Sequence, residues 1–283
     1  MRSIDCKSIS NKLRAAVADE IAKSGIQPHL VVIAVGNDEA SAVYARNKQK
    51  ACNKVGILCD IVRFQNEVTT EELANAVNSY GTDTAIDAIM VELPLPKHID
   101  KDTVLNAIPA DKDVDCLSAM SMGKLIMGQK GFAPCTPLGV VKLFDELGEP
   151  LAGRKVCIVN RSNIIGKPLA AMMTARDATV TVCHSKTKDI AKHTKDADVV
   201  VIAVSHPDFL SFDMVKDGAI VVDVAVNVRE DGTLCGDVAA DVDLRSGMRT
   251  PVPGGVGLMT TTMMLQNTLA AAQRRANNTN NTK

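Results

Sequence analysis

The chain has few aromatic side chains and no excess of charge of either sign. Only 2% of its 283 residues are aromatic and none is Trp, so its cores must be built from aliphatic residues and methionine. The formal net charge is −1, from 32 basic and 33 acidic residues, and no basic block occurs. Nucleic acids and anionic membrane surfaces attract concentrated positive charge, so we expect neither as the main partner.

Long apolar runs are also missing. The run LVVIAV at 30–35 is far shorter than the roughly 20 residues that cross a bilayer, and the N-terminal MRSIDCKSIS has no secretory pattern. Eight cysteines are present, but their spacing contains no C-x-x-C pair. We therefore expect a cytoplasmic chain with free thiols, no membrane segment and no metal site.

The first half of the chain alternates amphipathic segments with apolar runs. Residues 8–24 place apolar side chains four apart, which predicts a helix that Gly25 ends. Thr69 and Glu72 form a capping box for a further helix. Buried strands are predicted at the apolar runs 29–36, 57–64 and 86–93. Strand, helix and strand in alternation are typical of a parallel α/β sheet.

From Pro137 the alternation of helix and strand restarts, and the length of the chain suggests two domains. We expect an N-terminal parallel α/β domain at 1–136, completed by a C-terminal helix at about 259–283. A doubly wound domain of Rossmann type is expected at 137–258. The active site is expected in the cleft between these two α/β domains.

The segment YARNK places Tyr44 and Lys48 four residues apart on a predicted helix, and therefore on one face. A tyrosine beside a lysine can stack on an aromatic substrate while the ammonium lies at the reacting centre. The alternative is an ordinary surface helix with a half-buried tyrosine and a lysine whose stem packs on apolar surface.

Two acidic motifs follow. Glu92 in VELPLP ends a predicted strand, at the sheet edge where parallel folds bind ligands; the alternative is an exposed charge in a proline-stiffened loop. DKDVDC places Asp111, Asp113 and Asp115 at alternate positions, either as a solvated turn or as a metal site. The glycine and the distal glutamate of a calcium loop are missing, so a metal is not expected.

The segment IVNRSNIIGKP at 158–168 joins a predicted strand to a predicted helix, as a dinucleotide-binding turn does, although it holds a single glycine. Arg161 supplies a charge suited to the 2′-phosphate of NADP. HSKT at 184–187 ends the next strand without the acidic residue that binds ribose in NAD enzymes. Both features favour NADP over NAD. The alternative is a basic turn that has no role in cofactor binding.

Eight segments occur in one order over nearly the whole chain: YARNKQKACNKVGI, VELPLP, PADKDVD, PCTPLGV, NRSNIIGKP, ATVTVCHSKT, GDV and TPVPGGVGLMT. In this order they resemble the bifunctional methylenetetrahydrofolate dehydrogenase/methenyltetrahydrofolate cyclohydrolase family. The resemblance implies a folate-binding catalytic domain, an NADP-binding Rossmann-type domain and a homodimer formed through the nucleotide-binding domains. It also implies two reactions of one-carbon metabolism, the oxidation of 5,10-methylenetetrahydrofolate by NADP⁺ and hydrolysis of the methenyl product to 10-formyltetrahydrofolate.

The resemblance also assigns roles by position. Lys48 is the catalytic lysine of the hydrolytic step, Tyr44 stacks on the aminobenzoate ring, and Asp115 hydrogen-bonds the pterin edge, with Glu92 as a fourth catalytic position. Further substrate contacts are implied for Val91, Leu93, Pro253, Gly254 and Gly257. NADP contacts are implied for Asn160, Arg161, Ser162, Ile165, Ser185, Val226 and Thr260.

The chemistry of the two steps is consistent with these residues. Hydride transfer needs two rings held in a reactive geometry and little acid or base help. Hydrolysis needs proton transfers to and from water and the ring nitrogen. In YARNK only Lys48, when desolvated, can serve as the proton carrier.

The chain departs from the family pattern at several positions. Glu92 stands where glutamine is usual, and a carboxylate beside Lys48 favours the charged ammonium, so we expect weakened hydrolysis unless Glu92 itself takes the proton. Usual glycines are replaced by Cys116, Asn160, Ser205 and Ala225, and a usual proline by Leu258. Asparagine tolerates positive φ, so Asn160 is expected to keep the shape of its turn. Ser205 and Ala225 are expected to weaken NADP binding.

Two alternative interpretations stay open at this point. One is an NADP-dependent dehydrogenase of another small substrate, which would be expected to lack VELPLP and PVPGGVG together. The other is a folate- or nucleotide-binding protein that has lost catalysis. Against the second, Tyr44, Lys48 and Asp115 are all retained.

Overall fold

The computed structural model describes residues 1–36 and 39–281. The strands are β1 (Arg2–Ser3), β2 (His29–Val35), β3 (Leu58–Phe64), β4 (Ala88–Val91), β5 (Lys155–Val159), β6 (Thr179–Cys183), β7 (Val199–Ile202), β8 (Ile220–Asp223), β9 (Asn227–Val228), β10 (Leu234–Cys235) and β11 (Met248–Arg249). The helices are α1 (Cys6–Ser24), α2 (Glu39–Val55), α3 (Thr70–Thr82), α4 (Lys101–Asn106), α5 (Ala119–Ile126), α6 (Cys135–Leu147), α7 (Gly166–Thr174), α8 (Ile190–Thr194) and α9 (Val256–Asn281). The predicted α/β class is confirmed, and of the helix expected at 259–283, residues 282 and 283 lie outside the described residues.

The chain folds into two compact units. Unit 1 comprises Met1–Asn11 and Thr136–Thr260, and unit 2 comprises Lys12–Cys135 and Thr261–Lys283. The limits 1–136 and 137–258 stay a proposal for the functional domains. Residues 1–11 group with unit 1 because Arg2 and Ser3 pair in parallel with Met248 and Arg249.

Unit 2 is built on a three-stranded parallel sheet in the order β3-β2-β4. The central strand β2 is buried on both faces, as its uninterrupted apolar run predicts. Helix α3 begins at the predicted capping box, in which Thr69 accepts the Glu72 N–H and the Glu72 carboxylate accepts the Thr69 N–H. Leu73 and Val77 of α3 then pack against the sheet in one apolar core.

Unit 1 contains a six-stranded parallel sheet in the order β1-β11-β8-β7-β5-β6. The chain passes from β5 to β6 on one side and then returns to β7 on the other side of β5. The strand order therefore reverses between β5 and β7, and doubly wound sheets bind ligands at the carboxyl ends of such a pair. This end of the sheet carries the loops that follow Val159 and Ile202.

The polar groups inside both units are satisfied. In the described ranges no buried side-chain nitrogen or oxygen lacks a hydrogen-bond partner, as expected of a well-packed interior. Across 1–36 and 39–281, no helix has both the length and the apolar character needed to span a bilayer.

Candidate functional site

The first cluster of functional side chains lies in unit 2, where α2 meets the end of β4. The backbone N–H of Glu92 donates to Ile33 O over 2.8 Å and fixes Glu92 directly beyond the last residue of β4. Lys48 Nζ donates to Glu92 Oε1 over 2.5 Å. Both side chains are largely enclosed, at 22% exposure for Lys48 and 14% for Glu92. Tyr44, one helical turn before Lys48, is 59% exposed and available to stack on a ligand.

The three carboxylates of DKDVDC have different environments. Asp111 is exposed. Asp113 is buried and accepts the backbone N–H groups of Leu117 and Ser118, which makes it a structural residue of the loop. Asp115 Oδ1 accepts Cys135 N–H over 3.0 Å. Among the described residues, no group of three or more His, Cys, Asp or Glu side chains has the arrangement of a metal site.

Asp115 carries the electrostatics expected of a ligand-binding acid. Burial raises the pKa of the Asp115 carboxyl above its ordinary value, while the hydrogen bond from Cys135 and the nearby Lys48 charge act in the opposite direction. The Lys48 charge thus acts on Asp115 as well as on Glu92, and the three side chains form one electrostatic group. A carboxyl of this kind can donate to or accept from the polar edge of a heterocycle.

Asn267 is a functional candidate that the sequence patterns do not identify. It is buried on α9, and its Nδ2 donates to Val114 O over 2.8 Å and to Ala133 O over 3.1 Å. These two carbonyls precede Asp115 and Cys135 by one and two residues. Asn267 therefore holds both loops that meet in the Asp115–Cys135 hydrogen bond. The hint in the sequence is weak, an asparagine between Gln266 and Thr268 in the mostly apolar segment MMLQNTLAAA.

Val91 and Leu93, the neighbours of Glu92, differ in accessibility. Val91 is 2% exposed and packs in the apolar core of unit 2, so its side chain is not open to a ligand. Leu93 is partly buried, and the Leu93–Pro94 peptide bond is cis.

In unit 1 the turn after β5 is organised by the side chain of Asn160. Its Oδ1 accepts the N–H groups of Ser162 and Gly166 over 2.8 and 3.0 Å and the hydroxyl of Ser162 over 2.8 Å. Its Nδ2 donates to Ala203 O over 2.6 Å. Asn160 does not have a positive φ. The expectation that Asn160 keeps the turn through positive φ is therefore wrong, and hydrogen bonding from its side chain is the physical reason that the turn persists.

Gly166 makes the close packing of this turn possible. A Cβ at this position would lie 2.0 Å from Asn160 O, so no other residue fits without a shift of the backbone. Ser162 Oγ accepts the Ile165 N–H over 3.1 Å and completes the turn ahead of α7.

The remaining cofactor candidates lie at several points of unit 1. Arg161 and Ser185 are exposed after β5 and β6, and Val226 is 48% exposed after β8. No acidic residue follows β6 within HSKT. Thr260 Oγ1 lies 3.0 Å from Thr136 Oγ1 and donates to Val256 O. Together with the tight turn that Gly166 permits, these polar and basic groups fit a phosphorylated dinucleotide.

The PVPGGVG segment leads into α9. Pro253 and Gly254 are exposed, the peptide bond from Val252 to Pro253 is cis, and Gly254 has a φ of 92°. Gly257 lies in the first turn of α9, where a Cβ would meet no heavy atom within 4 Å.

Two of the four glycine replacements lie in the left-handed region. Cys116 has a φ of 53° and Ser205 a φ of 55°, a conformation that costs a non-glycine residue roughly 1–2 kcal/mol. Ala225 is buried and, like Asn160, does not have a positive φ. The replaced glycines therefore differ in their consequences: strain arises at Cys116 and Ser205 alone among the four.

Comparison with known families agrees with this arrangement. Residues 4–115 match the model of the tetrahydrofolate dehydrogenase/cyclohydrolase catalytic domain, and residues 134–276 match the model of the NAD(P)-binding domain of the same family. The chain belongs to the tetrahydrofolate dehydrogenase/cyclohydrolase family. The two matched ranges leave only the segment 116–133 and the two ends of the chain outside.

Individual members of the tetrahydrofolate dehydrogenase/cyclohydrolase family are similar over almost their whole length. The "Bifunctional protein FolD" of Campylobacter concisus is 48% identical over 97% of this chain and 99% of its own. The crystal structure of the bifunctional enzyme FolD from Campylobacter jejuni has a TM-score of 0.93 at 41% identity, covering 96% and 98% of the two chains. The FolD structure from Trypanosoma brucei, complexed with NADP cofactor and inhibitor, has a TM-score of 0.90 at 35% identity, covering 96% and 97%.

Proposed function

We propose that this chain oxidises 5,10-methylenetetrahydrofolate with NADP⁺ and hydrolyses the resulting 5,10-methenyltetrahydrofolate to 10-formyltetrahydrofolate. The observation that carries the proposal is the Lys48–Glu92 ion pair, with Asp115 in the field of Lys48, in a chain of the tetrahydrofolate dehydrogenase/cyclohydrolase family. A lysine and two carboxylates in one cluster are groups that can carry protons to and from a folate ring.

The folate is bound in this proposal by side chains of complementary chemistry. Tyr44 stacks on the aminobenzoate ring, and Asp115 hydrogen-bonds the pterin edge. Lys48 lies at the reacting carbon. The further proposed substrate contacts are Val91, Leu93, Pro253, Gly254 and Gly257.

The cofactor proposed is NADP, which accepts the hydride when bound. The chain's part is to bind and orient it: the turn after β5 provides a tightly packed wall at the carboxyl end of the sheet, and Arg161 and Ser185 supply charge and hydrogen bonds for a 2′-phosphate. The proposed cofactor contacts are Asn160, Arg161, Ser162, Ile165, Ser185, Val226 and Thr260.

The hydrolytic step takes one water and releases one proton. Water adds to the methenyl carbon and loses one proton to give a neutral carbinolamine, the ring nitrogen N5 takes a proton, and the bond from that carbon to N5 breaks as the hydroxyl loses the second proton of the water, which leaves the formyl group on N10. Lys48 Nζ donates to Glu92 Oε1 and, engaged in this ion pair, is less available to accept the proton from water. We propose that hydrolysis is slowed relative to oxidation, and that Glu92 is the alternative acceptor of the proton from water.

The biological setting proposed for this activity is the one predicted from the sequence. The partners are tetrahydrofolate one-carbon derivatives, the chain forms a homodimer, and the enzyme acts in the cytoplasm. A purified sample whose mass in solution is that of a monomer under assay conditions would contradict the homodimer.

The decisive experiment is an absorbance assay on the purified full-length chain. 5,10-Methylenetetrahydrofolate is supplied with NADP⁺, or with NAD⁺ in a parallel cuvette, and reduced nicotinamide and methenylfolate are followed together. The expected result is reduction of NADP⁺ in preference to NAD⁺, with transient accumulation of methenylfolate.

The other outcomes separate the rival functions. NADP⁺ reduction without accumulation of methenylfolate would keep the two activities and contradict a slowed hydrolysis. No reduction of either cofactor, together with measurable folate or nucleotide binding, would support the catalytically impaired binding protein. Reduction of NADP⁺ with a small hydroxy or amino acid but not with the folate would support the other dehydrogenase.

A further inference from the structure

Asp237 receives hydrogen bonds from three successive backbone N–H groups of one loop. Its Oδ2 accepts Val204 N–H over 2.6 Å and Ser205 N–H over 3.1 Å, and its Oδ1 accepts His206 N–H over 2.7 Å. Oδ1 also accepts Asn227 Nδ2 over 2.9 Å. The Asp237 side chain is fully buried. Converging N–H groups form a concavity that binds anions, and here a carboxylate of the chain itself fills it.

The loop that Asp237 holds lies at the ligand-binding end of the unit 1 sheet. It follows β7, and the strand order reverses between β7 and β5. Asn160, in the turn after β5, donates from Nδ2 to Ala203 O at the start of the same loop. The loop at 203–206 and the turn at 160–166 are therefore adjacent, at the crevice where doubly wound folds place a dinucleotide.

The backbone at Asp237 is held in turn by a second buried carboxylate, that of Asp223. The backbone N–H of Asp237 donates to Asp223 Oδ1 over 3.0 Å, and Val238 N–H donates to Asp223 Oδ2 over 3.0 Å. A Cβ on Gly236 would lie 1.9 Å from Asp223 Oδ2, so only glycine allows this approach. The sequence GDV thus forms a rigid support whose aspartate points into the loop.

The loop needs such a support because of Ser205. Its φ of 55° lies in the left-handed region, which glycine enters freely and serine does not. The conformation persists only where the surroundings fix it. Three charge-assisted hydrogen bonds to one carboxylate supply that constraint.

We propose that Asp237 is a positioning residue for the dinucleotide cofactor: it holds Val204–His206 in the conformation that leaves room for NADP beside the turn after β5. Asp237 acts through the loop and does not touch the cofactor. The inference rests on the proposed function, since it requires a dinucleotide at this end of the sheet.

The test compares Asp237→Asn with the wild-type chain by isothermal titration with NADP⁺, together with the KM for each substrate and kcat. Asparagine retains the size of the side chain but replaces one acceptor by an NH₂ group that faces N–H donors. We expect the Kd and KM for NADP⁺ to rise about tenfold, which is about 1.4 kcal/mol. The KM for the folate and the kcat at saturating NADP⁺ should change less than twofold. Asp213 is an exposed aspartate of the same unit. Asp213→Asn is therefore the matched control, and it should leave the Kd and KM for NADP⁺, the KM for the folate and the kcat unchanged.

Ser205→Gly supplies the second variant. Glycine adopts the loop conformation without constraint, so Ser205→Gly alone should bind NADP⁺ at least as tightly as the wild-type chain, and in combination with Asp237→Asn it should restore most of the lost affinity. If Asp237→Asn lost affinity because the fold as a whole was damaged, a glycine in the loop would not restore the affinity. If Asp237→Asn does not fold, as judged by circular dichroism, the Ser205→Gly result decides, and weaker binding overturns the inference.

The outcomes distinguish this inference from the proposed function. A folded Asp237→Asn variant with wild-type affinity for NADP⁺ overturns the inference and leaves the function intact. An equal loss of folate and NADP⁺ binding without rescue overturns it as well. A wild-type chain that binds neither NADP⁺ nor NAD⁺ overturns both.

Discussion

Lys48 Nζ lies 2.5 Å from Glu92 Oε1, so two residues 44 positions apart form an ion pair at the carboxyl end of β4. Helix α2 fixes Lys48, and the hydrogen bond from Glu92 N–H to Ile33 O fixes Glu92. Both side chains are largely enclosed, and enclosed charges attract more strongly than charges in water. The ion pair therefore engages Lys48 Nζ with Glu92, so that Nζ is less available to accept a proton from water.

Glu92→Gln tests the consequence for hydrolysis. The amide removes the negative charge that engages Lys48 Nζ and frees this group to act on water, so methenylfolate hydrolysis should rise severalfold to about tenfold, equivalent to about 1.4 kcal/mol. The rate of NADP⁺ reduction should change less than twofold, because hydride transfer uses no proton from this pair. Both rates are read from one absorbance assay.

Glu67→Gln, at an exposed glutamate of the same unit, is the control and should leave both rates unchanged. A fall of hydrolysis in Glu92→Gln would mean that Glu92 itself takes the proton from water, and an unchanged rate would contradict the proposed slowing of hydrolysis by the ion pair. In the first case the pH profile of the variant would lack the low-pH limb that reports a catalytic base.

Asn267→Ala tests the support of Asp115. It removes the donor of two carbonyls, Val114 O and Ala133 O, which should lower the free energy of unfolding by about 1–3 kcal/mol. Because these loops carry Asp115 and its partner Cys135, the KM for the folate should rise severalfold. The Kd for NADP⁺ should stay constant. Chemical denaturation and steady-state kinetics provide the two readouts.

Gln266→Ala replaces the amide one position earlier on the same helix and is the matched control; we expect both quantities to stay near their wild-type values. An unchanged folate KM in a folded Asn267→Ala variant would restrict Asn267 to a structural role. A parallel loss of NADP⁺ affinity would show that the effect is not specific to the folate.

The secondary structure could be predicted because local patterns determine it. The apolar run of β2 and the capping box of Thr69 and Glu72 each depend on residues a few positions apart. Strand β1, in contrast, is two polar residues, Arg2 and Ser3, and its pairing with Met248 and Arg249 is 246 positions away. No local pattern carries such a pairing.

The candidate site could be predicted only in part, for the same reason. The order of the sequence motifs identifies Lys48 and Glu92 as site residues and predicts that they are neighbours. Sequence patterns do not identify Asn267 and Asp237 because their backbone partners are 134 and 153 positions away for Asn267 and 31 to 33 positions away for Asp237, and backbone groups have no identity in a sequence. The φ of Asn160 was predicted wrongly because an asparagine that tolerates positive φ can also shape a turn by hydrogen bonds from its side chain.

Gly166→Ala tests the turn after β5. The added Cβ would lie 2.0 Å from Asn160 O, and a backbone atom cannot yield as a flexible side chain can. We expect the Kd for NADP⁺ to rise at least tenfold and the free energy of unfolding to fall by about 1–3 kcal/mol. Isothermal titration and chemical denaturation measure these changes.

Gly123→Ala is the matched control for this substitution. Gly123 lies within α5, and no heavy atom lies within 4 Å of its Cβ position. Alanine should therefore leave NADP⁺ binding unchanged and raise the free energy of unfolding by about 0.5–1 kcal/mol. A Gly166→Ala variant with wild-type affinity would mean that the turn does not hold the cofactor.

Asp223, the support of the GDV segment, gives the fold a pH dependence of definite sign. Burial raises the pKa of its carboxyl from 3.8 to about 6, the Asp237 charge adds to the shift, and Arg249 and the N–H groups of Asp237 and Val238 oppose it. The folded chain thus binds this proton more tightly than the unfolded chain. The stabilising contribution is complete below about pH 4 and is lost as the pH rises through 6, by up to about 3 kcal/mol.

Asp223→Asn should remove this pH dependence. The amide stays neutral at every pH, so the free energy of unfolding of the variant minus that of the wild-type chain should become more positive by about 2–3 kcal/mol between pH 4 and pH 7. At pH 4 the difference reports only the altered acceptors of Asp237 and Val238 N–H. Urea denaturation at intervals of one pH unit measures this difference in the free energy of unfolding. Asp213→Asn is the control, and its difference from the wild-type chain should stay constant with pH. A difference independent of pH would mean that Asp223 is ionised in the folded chain throughout this range, with its hydrogen bonds compensating fully for burial.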